Sequence, residues 1–179
     1  MLGPTTVEEW LAAERSRLEL LLGHLYAPSR PSGSHQRASF RLARAVDDSL
    51  QAVGRRDLEV LPAVAVRIST PFRTVLVPDL AVVKVGEDRR LYERGDVLLA
   101  VEVWSQDNSQ DERETKTAAY AQVGIPHLWL VEAPKGKPVS FTAYRLEDAK
   151  YVEVVHADNG ETVTAPGPVP VEIDTAKLP

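Results

Sequence analysis

Residues 97–103 read VLLAVEV, a run that is apolar on both faces of any strand it forms except at Glu102. An ionised carboxylate in such a strand costs several kcal/mol unless a cation, a donor cluster or a proton compensates it. The run 75–83, VLVPDLAVV, repeats the anomaly, with Asp79 alone among apolar residues. If the two runs pair as antiparallel neighbours across a turn at 86–95, residues opposite one another share a face and Asp79 comes close to Glu102. Two carboxylates a few ångströms apart do not both stay ionised without a counter-cation, and Mg²⁺ typically takes one or two carboxylates plus waters and phosphate oxygens. A divalent metal satisfies both at once. Taken singly, each carboxylate can equally end a strand, cap a turn or pair with an arginine.

The rest of the chain sets the frame. Its 179 residues, 44% hydrophobic and 26% charged, fit one globular domain. We read 1–34 as an N-terminal helix with a strand or turn region, 35–132 as the core, and 133–179 as C-terminal strands with an extended tail. No stretch approaches the roughly 20 consecutive apolar residues a bilayer needs. The start, MLGPTTVEEW, lacks the basic opening and apolar core of a secretion signal, so a soluble, cytoplasmic protein without membrane partners is expected. With no cysteine, thiolate metal sites and cysteine nucleophiles are excluded, which leaves hard-cation chemistry open. The formal charge of −5 argues against non-specific coating of nucleic acid, although a local basic face can still bind a phosphate backbone.

Periodicity and capping place the elements. Thr6 and Glu9 form a capping-box spacing ahead of a short helix near 7–15. Residues 17–26, RLELLLGHLY, read either as strand-turn-strand or as a helix end running into a strand. From His35 to Val53, apolar residues recur at three-and-four spacing, with Gly54 as the stop. Strands are expected over 58–68, 72–85 and 97–103. A helix over about 110–122 opens on the Ser109 and Glu112 capping box and ends at Gly124. Strands at 127–132, 140–146 and 151–156 follow, with PKGK and EDAK as turns, and the proline-rich tail from Pro166 is expected to lie extended on the surface.

Several polar residues fall where they can serve those carboxylates. Lys116 lies four residues after Glu112 and four before Tyr120, so the three share a helix face. A lysine aimed back over the Glu102 strand can orient water or stabilise charge that develops in phosphodiester hydrolysis; alone, the Glu112 and Lys116 spacing equally describes a solvated surface bridge. Arg37, Arg41 and Arg44 form a stripe that either tracks phosphates or is an exposed face screened by Asp47 and Asp48. His35, at a helix start, can face phosphate or the carboxylates. The other histidines, His24, His127 and His156, show no zinc spacing. GxSxG, GxxxxGK[ST] and GxGxxG are absent, which argues against serine hydrolases, P-loop NTPases and dinucleotide dehydrogenases.

The segments EEWL, RLELLLG, PDLAVV, VEVWS and KTAAYAQVGIPHLWLVE, in this order and spacing, resemble the Uma-two family of restriction endonuclease-like proteins in the PD-(D/E)XK nuclease superfamily. The resemblance implies an α/β (α+β) fold with a restriction-endonuclease-like core, in which helices flank a mixed central β-sheet and further C-terminal hairpin strands are added. It implies a Mg²⁺ or Mn²⁺ site formed by Asp79, Glu102 and the backbone carbonyl of Val103. Lys116 falls on the lysine that in this family has moved to the following helix, the superfamily's usual position being Trp104 here. Glu19 and His35 match assisting residues, and Tyr120 matches a residue at the family's spacing. Gln106, Trp104, His24 and Glu112 depart from the pattern. The resemblance therefore implies a divalent-metal-dependent endonuclease acting on DNA, with catalytic Asp79, Glu102, Lys116, Glu19 and His35. Arg37, Arg41 and Tyr120 are candidate substrate contacts, and a homodimer is expected. RNA remains an open substrate. The alternative is a catalytically inactive binding or assembly module on the same fold.

Overall fold

The computed structural model describes residues 4–13, 18–27, 31–133, 136 and 138–178. In chain order the elements are α1 (Val7–Ala12), β1 (Glu19–Leu21), β2 (His24–Tyr26), α2 (Gly33–Ala52), β3 (Leu58–Pro62), β4 (Ala65–Ser69), β5 (Thr74–Leu76), β6 (Leu80–Lys84), β7 (Leu91–Glu93), β8 (Val97–Trp104), α3 (Gln110–Val123), β9 (His127–Glu132), β10 (Ser140–Glu147), β11 (Lys150–Ala157), β12 (Thr162–Ala165) and β13 (Val171–Asp174). The central sheet is mixed and six-stranded, ordered β11-β10-β9-β8-β6-β3, with β8 and β9 parallel and the other neighbours antiparallel. A second, five-stranded sheet is ordered β2-β1-β5-β4-β7, and β12 pairs with β13 as a separate ribbon. This is the expected mixed α/β architecture.

Each face of the central sheet buries a different layer. Ala38, Leu42, Val46 and Leu50, the inward stripe of α2, pack with Leu80, Val82, Leu99, Val101 and Val103 in one core. On the opposite face, Ala81, Val83, Ala100 and Leu128 meet Ala119 and Tyr120 of α3 together with Val66 and Leu76 of the second sheet. Strand alternation sends neighbouring residues of β8 to these two layers. One break in that alternation differs from the sequence expectation. Val83 pairs with Val97 while Val82 pairs with Leu99, so Leu98 is the extra residue of a bulge and Val97 joins the α3 layer with Ala100.

The amino-terminal segment resolves to strand-turn-strand. β1 and β2 pair across Leu22 (φ 50°) and Gly23 (φ 83°), the two left-handed residues of a tight hairpin. A Cβ on Gly23 would lie 2.6 Å from the Cβ of Pro4, so glycine is needed there for space as well as for φ. The described part of α1 ends at Ala12. Residues 14 and 15 of the expected helix, and most of the PKGK turn at 134–137, lie outside the described residues. The N-cap of α2 is Ser32, whose hydroxyl accepts from the His35 amide at 3.2 Å, so the helix begins at Gly33, two residues earlier than the start read from periodicity.

Two expectations are corrected. The apolar stretches 58–68 and 72–85 are four strands rather than two. The chain leaves β3 through Ala63 (φ 50°) and leaves β5 through Pro78, which lacks an amide for a ladder, so the halves enter different sheets. The C-terminal tail is not a surface strand. Val169, Val171, Ile173 and Leu178 are buried in the α2 core, while Pro170 faces outward. The buried hydroxyl of Thr175 donates to the Asp158 carbonyl at 2.6 Å and accepts from the amides of Gly160 and Glu161, anchoring the segment. No helix among the described residues is long and apolar enough to cross a membrane.

Candidate active site

β6 and β8 are antiparallel neighbours, and the pairing of Leu80 with Val101, carried one place further, sets Asp79 opposite Glu102. Asp79 stands at the corner where the chain passes from β5 to β6. Glu102 points into the α3 layer. α3 returns over that layer because the loop after β8 is pinned. Ser109 caps the Glu112 amide, Asn108 accepts from the Ser105 amide, and Arg113 donates to the Ser105 and Asn108 carbonyls while lying 4.9 Å over the Trp104 ring. Gly124, in the left-handed region, ends the helix, and β9 then runs parallel to β8. The four-residue spacing of Lys116 and Tyr120 turns both toward Glu102.

A connected cluster results. Nζ of Lys116 lies 3.0 Å from Oε1 and 3.1 Å from Oε2 of Glu102, and 3.0 Å from Oε1 of Glu19. The Tyr120 hydroxyl donates to Glu102 Oε1 at 2.6 Å. The Val77 amide donates to Glu19 Oε1 at 2.8 Å, which ties the amino-terminal hairpin to the cluster. Asp79 is held from two sides, by the Val103 amide at 2.7 Å on Oδ2 and by His35 Nε2 at 2.9 Å on Oδ1. Glu19, Glu102, Lys116 and Tyr120 are buried, whereas the Asp79 side chain keeps 27% exposure and is the more open edge. Beside Lys116 and Glu19 a cleft of about 440 Å³ opens toward Leu76, Asn108 and Glu112.

Burial and unbalanced charge govern the titration. Burial pushes the Glu102 carboxyl up to about 7; Lys116 opposes the rise, and the charges of Asp79 and Glu19 add to it. Burial works against the charge on Lys116, yet Glu102 and Glu19 outweigh it and hold the ammonium above its ordinary range. Burial also opposes protonation of His35, but its hydrogen bond to Asp79 and the charges of Asp79 and Glu102 raise it. Burial and the neighbouring carboxylates push the Tyr120 phenol well up, so it stays a neutral donor.

Two carboxylates, those of Glu19 and Glu102, thus contact one ammonium, and Asp79 adds a further negative charge that acts on Glu102, whose carboxyl is raised first by burial and then by these neighbours. In donor type and charge the set fits a hard divalent cation. Among the described residues, no group of three or more histidine or acidic side chains is already arranged to hold a metal ion.

The structure brings Asp79, Glu102, Lys116, Glu19 and His35 together with Tyr120, and places the substrate candidates Arg37 and Arg41 outside this cluster. Tyr120, expected to contact substrate, is completely buried with its hydroxyl on Glu102, so it reaches no ligand from solvent. Arg37 is exposed on α2, and Arg41 donates to the Lys177 carbonyl. Arg44 pairs with Asp48 at 3.6 Å, while Asp47 accepts from Gln51. Val103, expected to offer its carbonyl, contributes its amide to Asp79. Nothing in the sequence marks the amides of Val77 and Val103 as donors, because any residue except proline supplies one.

Residues 5–176 match the model of the Uma2 family, described as "Putative restriction endonuclease". No curated protein matches the chain. Among solved structures it is similar to a protein of Anabaena variabilis described as a putative nuclease belonging to DUF820, with 17% identity, a TM-score of 0.75, and coverage of 98% of this chain and 97% of that one. At that identity the likeness is one of fold. Because the family model spans nearly the whole chain, the protein belongs to the Uma2 family of restriction endonuclease-like proteins.

Proposed function

We propose that this protein is a divalent-metal-dependent endonuclease that hydrolyses phosphodiester bonds of DNA. The observation that carries the reading is the meeting of Glu102, Glu19 and Lys116 within 3.0 Å contacts at the end of the strand pair that also presents Asp79. Asp79 and Glu102 would hold Mg²⁺ or Mn²⁺, with the Val103 carbonyl as a further oxygen. Such an ion supplies concentrated positive charge beside the scissile phosphate.

The chain's own groups do the rest. His35 and the Val103 amide fix the Asp79 carboxylate, and Tyr120 fixes that of Glu102. Lys116, held charged by its two carboxylates, stabilises negative charge that grows on phosphate oxygens. Glu19 keeps the ammonium in place. A homodimer would give a duplex-cutting enzyme two such sites.

A second reading, a nuclease fold that binds without turnover, is favoured by the carboxylate oxygens already engaged by Lys116, Tyr120, His35 and Val103. Calorimetric titration with Mn²⁺, alongside plasmid cleavage, separates the two. The enzyme reading expects one-site Mn²⁺ binding and cutting by the wild type. Both are lost in Asp79→Ala and Glu102→Ala, while circular dichroism stays native. Wild-type protein that binds no Mn²⁺ and cuts nothing leaves the binding module standing.

A further inference from the structure

The buried residues of α3 are Lys116, Ala119, Tyr120 and Ala121, so the residues that precede the lysine in this helix bury no side chain. Apolar packing therefore holds the carboxy-terminal half of α3 and leaves its opening turns to polar contacts. Several of these are local. Asn108 donates to Glu112 at 3.0 Å, Ser109 caps the Glu112 amide, and Gln110 donates to Glu114 at 2.6 Å, all within the helix and its own cap.

Arg113 reaches further. Its Nη2 donates to the Ser105 carbonyl at 2.7 Å and its Nε to the Asn108 carbonyl at 3.3 Å, while Nη1 pairs with Glu132 at the end of β9. The flat face of the same guanidinium lies 4.9 Å over the Trp104 ring, and the side chain is only 18% exposed. One planar group thus joins the ends of β8 and β9 to the start of α3. Ser105 stands three residues after Glu102, and Arg113 three residues before Lys116. The bond between them closes a bracket about one helical turn from the contact of Lys116 with Glu102.

We propose that Arg113 is a positioning residue: by fixing the opening turns of α3 against Ser105, Trp104 and Glu132, it sets the Lys116 ammonium against Glu102 and Glu19 and so supports phosphodiester cleavage. Its own nitrogens are taken by protein acceptors, so it acts through the lysine and touches no substrate. Lysine at this position keeps the charge but cannot offer a fork of donors and a flat face together. The contribution to cleavage rests on the nuclease reading; the placement of the lysine does not.

The test is a double-mutant cycle of Arg113→Lys with Lys116→Met, read by urea unfolding at pH 8 without metal, together with plasmid cleavage in Mn²⁺. Both Arg113 and its replacement are cations, so like-charge repulsion of Lys116 cancels in the cycle. Lys116→Met is expected to lower the unfolding equilibrium constant by a factor at least about 2-fold smaller in the Arg113→Lys protein than in the wild type, because a displaced ammonium has less to lose. Factors that agree more closely, or a larger one in the Arg113→Lys protein, overturn the proposal. In cleavage, Arg113→Lys lowers kcat roughly 100-fold with KM little changed, in protein that stays native by circular dichroism. A loss confined to KM, or no loss, likewise overturns it. Should Arg113→Lys fail to fold, Glu132→Gln replaces it, since that side chain is 41% exposed and supplies one acceptor of the fork. Smaller effects of the same sign are then expected, and no change in either measurement refutes the role. Wild-type protein that cuts nothing removes the nuclease reading, and the unfolding cycle still decides the placement of the lysine.

Discussion

The hydroxyl of Tyr120 donates to Oε1 of Glu102 at 2.6 Å, and neither side chain has meaningful contact with solvent. The phenol is therefore a fixed internal donor to a buried carboxyl. Tyr120→Phe keeps the ring packing and deletes that donor alone. It is expected to cost about 1.5–3 kcal/mol, the range for a hydrogen bond to a charged group. Urea unfolding at pH 8 measures it, and an unchanged midpoint would show that the hydroxyl does not support the carboxylate.

Lys116 is the ammonium shared by Glu19 and Glu102. Lys116→Met retains an unbranched side chain and leaves two buried carboxylates facing Asp79. Stability is expected to fall by about 3–5 kcal/mol at pH 8, as when one partner of a buried pair is removed. The loss shrinks at pH 5, below the value to which Glu102 is raised, because that carboxyl then takes up a proton. Equal losses at both pH values would contradict this account.

The raised Glu102 carboxyl has a pH signature of defined sign. Its native value of about 7 exceeds the ordinary 4.5, so between these values the folded state binds more protons than the unfolded state. Stability from this group therefore falls as pH rises from about 4.5 to about 7. The raised His35 adds a decline of the same sign above 6.5. Thermal unfolding of wild type and Glu102→Gln isolates the effect. Across that window the wild type should lose stability relative to the variant, and a flat difference would refute the assignment.

The buried C-terminal strand makes Ile173 a core residue, 2% exposed against the α2 layer. Ile173→Ala is expected to cost about 2–5 kcal/mol. A surface strand would lose almost nothing, so the urea midpoint decides between the two placements.

Legibility in the sequence follows the range of each signal. The adjacency of Asp79 and Glu102 could be read because strand alternation exposes a lone acid among apolar residues. The joint approach of Lys116 and Tyr120 follows from their four-residue spacing. The bulge at Leu98 leaves no compositional mark. Pro78 interrupts one apolar run, but nothing local says that its halves join different sheets. In the tail, prolines at 166, 168 and 170 masked the period-two alternation of Val169, Val171 and Ile173. The engagement of Tyr120 by Glu102, which removes it from substrate, is a tertiary contact across 18 residues that spacing alone leaves undetermined.

Chain connectivity distributes the cluster unevenly. Glu102 meets Lys116 and Tyr120 over separations of only 14 and 18 residues, within one strand-helix-strand crossover, whereas Glu19 reaches the Val77 amide across 58. Short loops close at lower entropic cost, and docking β8 against α3 is by itself enough to bring the phenol, ammonium and Glu102 carboxylate together. The amino-terminal hairpin closes a longer loop at greater entropic cost, and it carries the second anion that completes the coordination of the lysine.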